Sequence, residues 1–253
     1  MFEKAVLYYF SPTGGTKKVG QTFCEAAKET QLVDLAEKEF SDMKADPEAL
    51  AVIAVPVFGG RIPSVAAENL RRISGEGAPA VTLAVYGNRA YEDALLELND
   101  TAKSCGFCVA ASGAFIAQHS MAPEVGKGRP DEKDRDEIRK FAQKVSEKIS
   151  KDASSEIEVP GSRPYKDEMK VAATPISADG CNLCGACASA CPTGAISISG
   201  DAVVTDISSC ILCMACSAAC PQKARILPPP MQERMEQMLG PLKSVRRENE
   251  TFL

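Results

Sequence analysis

The sequence predicts an α/β chain in which a doubly wound parallel sheet is followed by a second, smaller unit. Short apolar runs alternate with longer helix-compatible segments as far as about residue 150. Eight of the 11 cysteines are packed into positions 181 to 220. At 253 residues, the chain also exceeds the usual size of a single domain. We therefore expect two domains of different character.

Five apolar runs have the composition of strands that are buried on both faces, as parallel strands are. They cover residues 4–10, 31–35, 49–57, 80–86 and 109–117. Helices are predicted between and after them, near 16–29, 63–74, 91–105 and 130–150. The last helix has Pro130 for its first turn, Asp131 and Glu132 at its positive end, and Lys148 and Lys151 at its far end.

Three prolines and little periodicity mark residues 152–180 as a linker that lies against one or both domains. After the prolines at 228–230, apolar residues recur at helical spacing: Met231, Met235, Met238, Leu239 and Leu242. We expect a helix packed on the domain junction there, in preference to a cofactor or partner groove. The predicted boundaries are 1–152 for the first domain, 153–176 for the linker, 177–228 for the second domain and 229–253 for a helical tail.

Composition excludes several classes of function. The net charge of -5 is spread along the chain and provides no basic surface for nucleic acid. No apolar run approaches the ~18 residues of a membrane helix. The N-terminal "AVLYYF" is too short, and wrongly flanked, for a signal peptide. We expect a cytoplasmic protein, and the sequence gives no indication of oligomeric state.

The cysteines form an internal repeat, C-x2-C-x2-C-x3-C-P, that reads "CNLCGACASACP" and, 29 residues later, "CILCMACSAACP". Without an export signal, such a cluster indicates metal binding rather than disulfides. Three thiolates at this spacing can wrap one 4Fe-4S cluster, while the fourth reaches a second cluster. Zinc is the alternative, but its usual pair of C-x2-C knuckles lies about 15 to 20 residues apart and leaves the other cysteines without a role.

Residues 177–228, including "CPTGAI", resemble a bacterial two-cluster ferredoxin. The resemblance implies a small α+β domain that holds two 4Fe-4S clusters. The first would be held by Cys181, Cys184, Cys187 and Cys220, and the second by Cys210, Cys213, Cys216 and Cys191. Unlike a free acidic ferredoxin, the segment has few acids and carries Lys223 and Arg225. We expect these two side chains to lie on a solvent-exposed face of the domain rather than to raise the reduction potential of a nearby cluster.

The segment "SPTGGT", residues 11–16, follows the first predicted strand and opens the first predicted helix. Backbone N–H groups and hydroxyls therefore converge at the positive end of a helix dipole, where a phosphate binds. The loop lacks the G-x4-G-K-[ST] pattern of nucleoside triphosphate sites and the G-x-G-x-x-G pattern of dinucleotide sites. It suits a single phosphate monoester.

S/T-x-T-G-x-T after the first strand is similar to the FMN phosphate loop of flavodoxins. That resemblance implies the strand order 2-1-3-4-5 and an FMN held by this loop and by those at 56–63 and 85–94. Phe58 and Tyr91 are the candidates for stacking on the flavin, unless both only pack the loops. The implied contacts are Ser11, Thr13, Gly14, Gly15, Thr16, Pro56, Val57, Phe58, Gly59, Gly60, Tyr86, Gly87, Asn88 and Tyr91.

Two arginines depart from the flavodoxin pattern, whose third loop is usually acidic. Arg61 and Arg89 would favour an anionic reduced flavin, so we expect electrons to run from the clusters to FMN. Alternatively, the arginines face solvent, or hold a substrate or the linker. His119 follows the fifth strand and is a candidate proton donor to a substrate above the flavin, unless it is a loop histidine without catalytic duty. The "CGFC" at 105–108 lies at the opposite end of the sheet, where we expect structural thiols.

The whole chain thus resembles a flavodoxin-ferredoxin fusion of the kind found in anaerobes. Clusters carry electrons singly, whereas FMN holds one or two, so the resemblance implies an electron-transfer protein with soluble redox partner proteins. The alternative is an FMN-dependent reductase whose small-molecule substrate binds against Arg61, Arg89 and His119. A third hypothesis keeps the first domain as a docking module without flavin.

Overall fold

The structure, a computed structural model, describes residues 1–151 and 157–253. Its first part alternates strands and helices around one sheet. The elements are β1 (Phe2–Tyr9), α1 (Gly15–Cys24), β2 (Ala27–Asp34), β3 (Met43–Lys44), β4 (Leu50–Pro56), α2 (Ser64–Leu70), β5 (Ile73–Ser74), β6 (Pro79–Tyr86), α3 (Ala94–Ser104), β7 (Cys108–Ile116) and α4 (Glu132–Ser150).

The second part consists of short elements and one longer helix. They are β8 (Ile176–Ser177), α5 (Ala186–Ser189), β9 (Ile196–Ser199), β10 (Ala202–Thr205), α6 (Ala215–Ala218), β11 (Arg225–Ile226), α7 (Pro229–Leu239), a 3-10 turn (Gly240–Leu242) and β12 (Glu250–Phe252). β9 pairs antiparallel with β10, and β8 with β11. Two small sheets with two one-turn helices between them match the predicted α+β domain.

The central sheet has the order β2-β1-β4-β6-β7-β12. Its first five strands run parallel, which confirms the predicted order 2-1-3-4-5. β12 is an additional strand in a segment, 229–253, for which the sequence predicted only a helical tail. It runs antiparallel to β7, with Glu250 opposite Ala114 and Phe252 opposite Ser112. The end of the chain therefore returns to the edge of the first sheet and completes it.

Both faces of the sheet are buried, because successive side chains of each strand point to opposite sides and find helices on both. Leu7 packs with Phe23 of α1 and Phe141 of α4, whereas Tyr8 packs on the other face with Leu70 of α2 and other apolar residues. The carboxyl ends of β1, β4, β6 and β7 consequently meet at one edge. In sheets of this order, ligands bind at that edge.

Two predicted boundaries were wrong. The helix expected at 16–29 ends at Cys24, and the strand expected at 31–35 begins at Ala27. β2 is an edge strand whose residues 28–32 are exposed, so its polar sequence carries no buried apolar run. Pro130 does not lie in the first turn of α4 either. Asp131 caps that helix, accepting the N–H of Asp134, whose own carboxylate accepts the N–H of Asp131.

The linker is docked along α3 over its described residues. Asp93 accepts the backbone N–H groups of Ser162 and Lys166, at 2.9 and 2.8 Å, and Arg163 pairs with Asp100. The predicted boundary at residue 152 and the linker's first residues, up to 156, lie outside the described residues. No helix among the described residues is long and apolar enough to cross a membrane.

The predicted tail helix packs where the two parts of the chain meet. Met235 and Leu239 of α7 are buried against Leu212 and Met214 from the cysteine-rich part and Val125 from the first part. Met231 and Leu242 join the edge of this cluster, whereas Met238 is half exposed. The expectation of a helix at the junction is confirmed, with Met238 outside its buried face.

Candidate cofactor sites

A cavity opens at the carboxyl edge of the central sheet. Four loops surround it: the 12–16 segment after β1, 56–60 after β4, 85–90 after β6 and 117–121 after β7. The volume that water could occupy in it is about 100 Å³. The parallel order brings these four loops together, and three of them are the loops that the resemblance to flavodoxins implied for FMN.

The 11–16 loop presents unused backbone donors to this cavity. Gly14 caps α1 with φ +87°, and a Cβ built there would meet no atom within 4 Å. Ser11 Oγ accepts the N–H of Lys17 at 2.9 Å, which holds the loop in shape. Among the described residues, the N–H groups of Thr13, Gly15 and Thr16 have no acceptor. Three free donors at the start of a helix fit a phosphate, so the residues present suit the FMN that the loop motif implies.

The predicted flavin contacts divide into three groups. Ser11 and Gly14 shape the loop at residues 11–16 but do not line the cavity. Phe58 and Tyr86 line the cavity, and so do Thr13, Gly15, Thr16, Pro56, Val57, Gly59, Gly60 and Gly87. Asn88 and Tyr91 point elsewhere: Asn88 binds the carbonyl of Val245 at 2.6 Å, and the Tyr91 hydroxyl donates to Glu250 at 2.8 Å. Both therefore hold the C-terminal segment, which leaves Phe58 and Tyr86 as the aromatic walls of the cavity.

The two arginines also differ in position. Arg61 forms an ion pair with Glu97 and donates to the carbonyl of Lys166, so it holds the linker, one of the alternatives considered for it. The hydrogen bonds that Arg61 donates to the carboxylate of Glu97 raise the pKa of Arg61. Arg89 lines the cavity and pairs with Glu92 at 3.0 Å. Arg89 is thus the arginine that faces the cavity.

His119 lines the same cavity, with its ring packed over Gly87. Burial, together with the smaller effect of the nearby charge of Arg89, lowers the pKa of His119 to about 4. Its Nδ1 accepts the N–H of Met121 at 3.2 Å. Because a backbone N–H can only donate, the proton of the neutral ring is on Nε2. His119 is therefore an uncharged hydrogen-bond donor at neutral pH.

A roof over the cavity was not predicted from the sequence. Met169 of the linker, together with Leu212 and Cys213 of the cysteine-rich part, completes the lining. Gly59 permits this approach, because a Cβ there would lie 2.8 Å from Cβ of Met169. The linker expectation of contact with one or both domains was the nearest signal in the sequence. Nothing in the local pattern around Met169 points to a ligand.

Four thiols surround a second cavity. Cys191, Cys210, Cys213 and Cys216 all line it, and these are the four that the ferredoxin resemblance assigns to the second cluster. Within residues 1–151 and 157–253, no three metal-binding side chains are grouped as ligands of a single ion would be. Four thiolates around one cavity are instead the donor set of an iron-sulfur cluster, which supplies its own bridging atoms.

The two cysteine motifs have matching backbones. Leu183 and Leu212 both have positive φ, at +57° and +55°, and so do Gly185 and Met214, at +78° and +64°. A bulky residue in this region is a genuine outlier. Such outliers cluster at binding sites, where the chain must follow a ligand's shape. Their recurrence at equivalent positions of both halves fits two equivalent cluster sites.

Around the first set of ligands, the backbone supplies donors to sulfur. The N–H of Ala224 lies 3.2 Å from Sγ of Cys220. Burial alone would raise the pKa of the Cys220 thiol, but this and neighbouring backbone donors bring the pKa below its usual value. Burial raises the pKa of Cys213 to about 12. Hydrogen bonds from backbone N–H groups to ligand sulfurs, such as the one from Ala224 to Cys220, tune the reduction potential of iron-sulfur clusters.

Arg225 contradicts the expectation that it solvates a face. It is 3% exposed and donates to the carbonyl of Pro175 at 2.7 Å and to Thr205 Oγ1 at 2.8 Å. Its position in β11 places it inside the small domain, where it ties three segments together. Lys223, in contrast, is exposed as expected.

Residues 174–236 match the family model of the 4Fe-4S dicluster domain. A search of curated proteins found no match. The match covers both cysteine motifs and extends into α7, so the iron-sulfur interpretation is confirmed for this part of the chain, and zinc is not supported. The chain contains a 4Fe-4S dicluster domain.

Solved structures similar to the chain cover its first part. Rubredoxin oxygen:oxidoreductase from Desulfovibrio gigas is 15% identical, with a TM-score of 0.43 over 60% of this chain and 37% of that one. Flavodoxin 1 from Bacillus cereus is 12% identical, with a TM-score of 0.41 over 57% and 98%. Megasphaera elsdenii flavodoxin is 14% identical, with a TM-score of 0.38 over 55% and 98%. This chain thus spans little more than a third of the D. gigas enzyme.

The strand order itself assigns the first part to the flavodoxin-like arrangement of doubly wound sheets. The chain therefore joins a flavodoxin-like fold to a 4Fe-4S dicluster domain, which supports its interpretation as a flavodoxin-ferredoxin fusion.

Proposed function

We propose that the protein binds FMN in the cavity at the sheet edge and transfers electrons between this flavin and two 4Fe-4S clusters. One observation carries the proposal: the wall of the cavity that contains the phosphate-type loop also contains Cys213, a cluster ligand of the dicluster domain. A flavin site and an iron-sulfur site that share a wall have little function apart from electron exchange.

When bound, FMN supplies a carrier of one or two electrons, whereas each cluster carries one. The chain's own residues divide the remaining work. Thr13, Gly15 and Thr16 would hold the phosphate, and Phe58 and Tyr86 would flank the ring. Met169 and Leu212 would exclude water from above it, since apolar side chains line that side.

Anaerobic reconstitution with iron, sulfide and FMN tests this proposal. The protein should retain one FMN and two clusters per chain, and electrons added to the clusters should appear in the flavin absorbance. A protein that holds both clusters but no FMN would leave the docking-module hypothesis. A flavin that exchanges no electrons with the clusters would contradict the transfer function.

A second candidate function, reduction of a small molecule at the flavin, is favoured by His119 and Arg89. Both line the covered cavity, and the roof that shields it from a protein partner would not exclude a small substrate. The neutral Nε2–H of His119 is placed to donate to such a substrate. Replacing His119 with Gln should slow turnover of a small-molecule acceptor but leave cluster-to-flavin transfer unchanged; a pure carrier would show no difference.

The boundaries 1–152, 153–176, 177–228 and 229–253 remain our proposed division of the chain. Redox partner proteins, the FMN contacts and the ligand assignments belong to this same proposal, and a cytoplasmic location and an anaerobic source stay predictions. The division has one consequence for experiments: β12 belongs to the central sheet, so the first domain should be studied within the full chain.

A further inference from the structure

We infer that the second cluster, held by Cys191, Cys210, Cys213 and Cys216, is the one next to the flavin, and that partner proteins exchange electrons at the first cluster. The inference rests on the proposed FMN site and adds an order to it. Electrons would pass between partner, first cluster, second cluster and flavin in that sequence.

The first step is the shared wall. Leu212 and Cys213 line both the sheet-edge cavity and the cavity enclosed by the four thiols. The cysteines assigned to the first cluster, Cys181, Cys184, Cys187 and Cys220, line neither cavity within the described part of the chain. Of the two ligand sets, one therefore borders the flavin cavity and the other does not.

The cysteines assigned to the second cluster are also more buried than those assigned to the first. Cys191, Cys213 and Cys216 are buried, and Cys210 is partly buried. In the first set, Cys187 is also buried, but Cys184 is exposed, and Cys181 and Cys220 are partly buried. Only a cluster with ligands at the surface can come within a short distance of another protein. The first cluster, with the more exposed ligands, is thus suited to exchange electrons with a partner protein. The second cluster, with the more buried ligands, is suited to exchange electrons with the flavin.

The contact between the two parts is fixed rather than incidental. Leu212 and Met214, which flank Cys213, pack in one buried cluster with Val125 of the first part and Met235 and Leu239 of α7. Buried apolar packing of this kind resists separation. Cys213 therefore keeps its place in the cavity wall, and the path through it needs no domain movement.

Each transfer along this path moves one electron. A reduced one-electron carrier protein loses an electron to the first cluster, which passes it to the second; the second cluster then loses it to the flavin. Two such electrons, with protons taken from solvent, complete the reduction of one flavin. Every oxidation is thus matched by an equal reduction, and the reverse order serves a protein that oxidises its flavin.

The test is a redox titration of both clusters, followed by electron paramagnetic resonance, on cluster-loaded protein with and without FMN. Filling the cavity changes the surroundings of Cys213, so the midpoint potential of one cluster should shift and that of the other should stay. Two variants identify which is which. Thr193→Val removes a hydroxyl 3.5 Å from Sγ of Cys191 and marks the second cluster. Cys184→Ser changes a ligand of the first cluster and marks that one.

FMN should shift the midpoint potential of the same cluster that Thr193→Val affects, and it should leave unchanged the potential of the cluster that Cys184→Ser affects. Either variant alone suffices to assign the shifted signal. Ser199→Val, on the exposed face of β9, is the matched control and should move neither. A shift of the first cluster, of both clusters equally, or of neither would overturn the inference. FMN content is measured first: protein that retains no FMN contradicts the proposed function itself, whereas bound FMN with the wrong shift contradicts only the order.

Discussion

Arg61 donates two hydrogen bonds to Glu97, with Nε and Nη2 each 2.7 Å from a carboxylate oxygen. A third nitrogen, Nη1, donates to the carbonyl of Lys166 at 2.6 Å, and the guanidinium lies over the ring of Tyr165 at 4.9 Å. The pair is mostly buried, at 15% and 9% side-chain exposure. The charge of Arg61 is therefore balanced, and its function is to fasten the linker to α3 beside the cavity.

Replacing Arg61 with Met should destabilise the protein by about 2 to 4 kcal/mol, because it leaves the carboxylate of Glu97 buried without its partner. Thermal unfolding of the holoprotein under anaerobic conditions measures the loss. Arg163→Met is the control, since it removes an exposed pair with Asp100 on the same linker and should cost much less. Equal losses in the two variants would contradict the assigned role.

Replacing Arg89 with Met should lower the potential of the bound flavin by about 20 to 40 mV. Arg89 lines the cavity, and a partly screened cation favours the negative, reduced flavin by an interaction on the order of 1 to 2 kcal/mol. Potentiometry of the two arginine variants compares the positions directly. Arg61→Met should leave the potential nearly unchanged, and the reverse ranking would show that Arg61 faces the flavin.

Replacing Gly59 with Ala should weaken FMN binding by about tenfold, which corresponds to ~1.4 kcal/mol. The new Cβ would lie 2.8 Å from Cβ of Met169 and would push the linker off the cavity. Gly77→Ala is a matched control, because Gly77 also has positive φ, at +78°, but has no atom within 4 Å of a built Cβ. Fluorescence titration with FMN should separate the two. Similar affinities would mean that Met169 does not cover the flavin.

Replacing Asn88 with Gly should loosen the C-terminal segment by about 1 to 3 kcal/mol, since buried partners lose their hydrogen bonds. Asn88 donates to the carbonyl of Val245 and accepts the N–H of Arg247, at 2.6 and 3.3 Å. Glycine tolerates the φ of +60° at this position, so the variant removes the bonds without adding backbone strain. Hydrogen exchange should quicken in β12 and stay unchanged in β1. Unchanged exchange in β12 would assign Asn88 another role.

The imidazole of His119 should titrate near pH 4, well below an exposed histidine at about 6.5. It is the only histidine in the sequence, so one labelled resonance in an NMR titration reports it. Because the folded-state pKa is lowered, the unfolded chain binds the extra proton as pH falls from about 6.5 to 4. Acidification over this window therefore costs stability, and His119→Gln should reduce that cost. A midpoint near 6.5 would place His119 in solvent.

The sequence was sufficient for the features that depend on local chemistry. Alternating apolar runs predicted five strands, and the resemblance to flavodoxins implied their order, which the structure shows. The spacing of the cysteines predicted the dicluster domain that a family match confirms. The loop at residues 11–16 marked the edge of the sheet where the cavity lies. Each of these features is encoded by consecutive residues or by a fixed spacing along the chain. It can therefore be recognised without knowing which distant segments meet in the folded protein.

The features that were missed depend on distant contacts. β12 is three residues long, and only its pairing with β7 makes it a strand. Asn88 and Tyr91 lie in the expected loop, but the returning tail supplies the acceptors that turn their side chains away from the cavity. Met169 and Arg225 likewise acquire their surroundings from other segments, such as Leu212 for the roof and Pro175, 50 residues earlier in the chain, for Arg225.

Binding of FMN to the cluster-loaded protein tests the central claim most directly. Titration calorimetry under anaerobic conditions should show one FMN per chain, bound more tightly than riboflavin, because Thr13, Gly15 and Thr16 present free N–H groups to the phosphate that riboflavin lacks. Protein with both clusters in place that binds neither compound, or that binds riboflavin as tightly as FMN, would contradict the account.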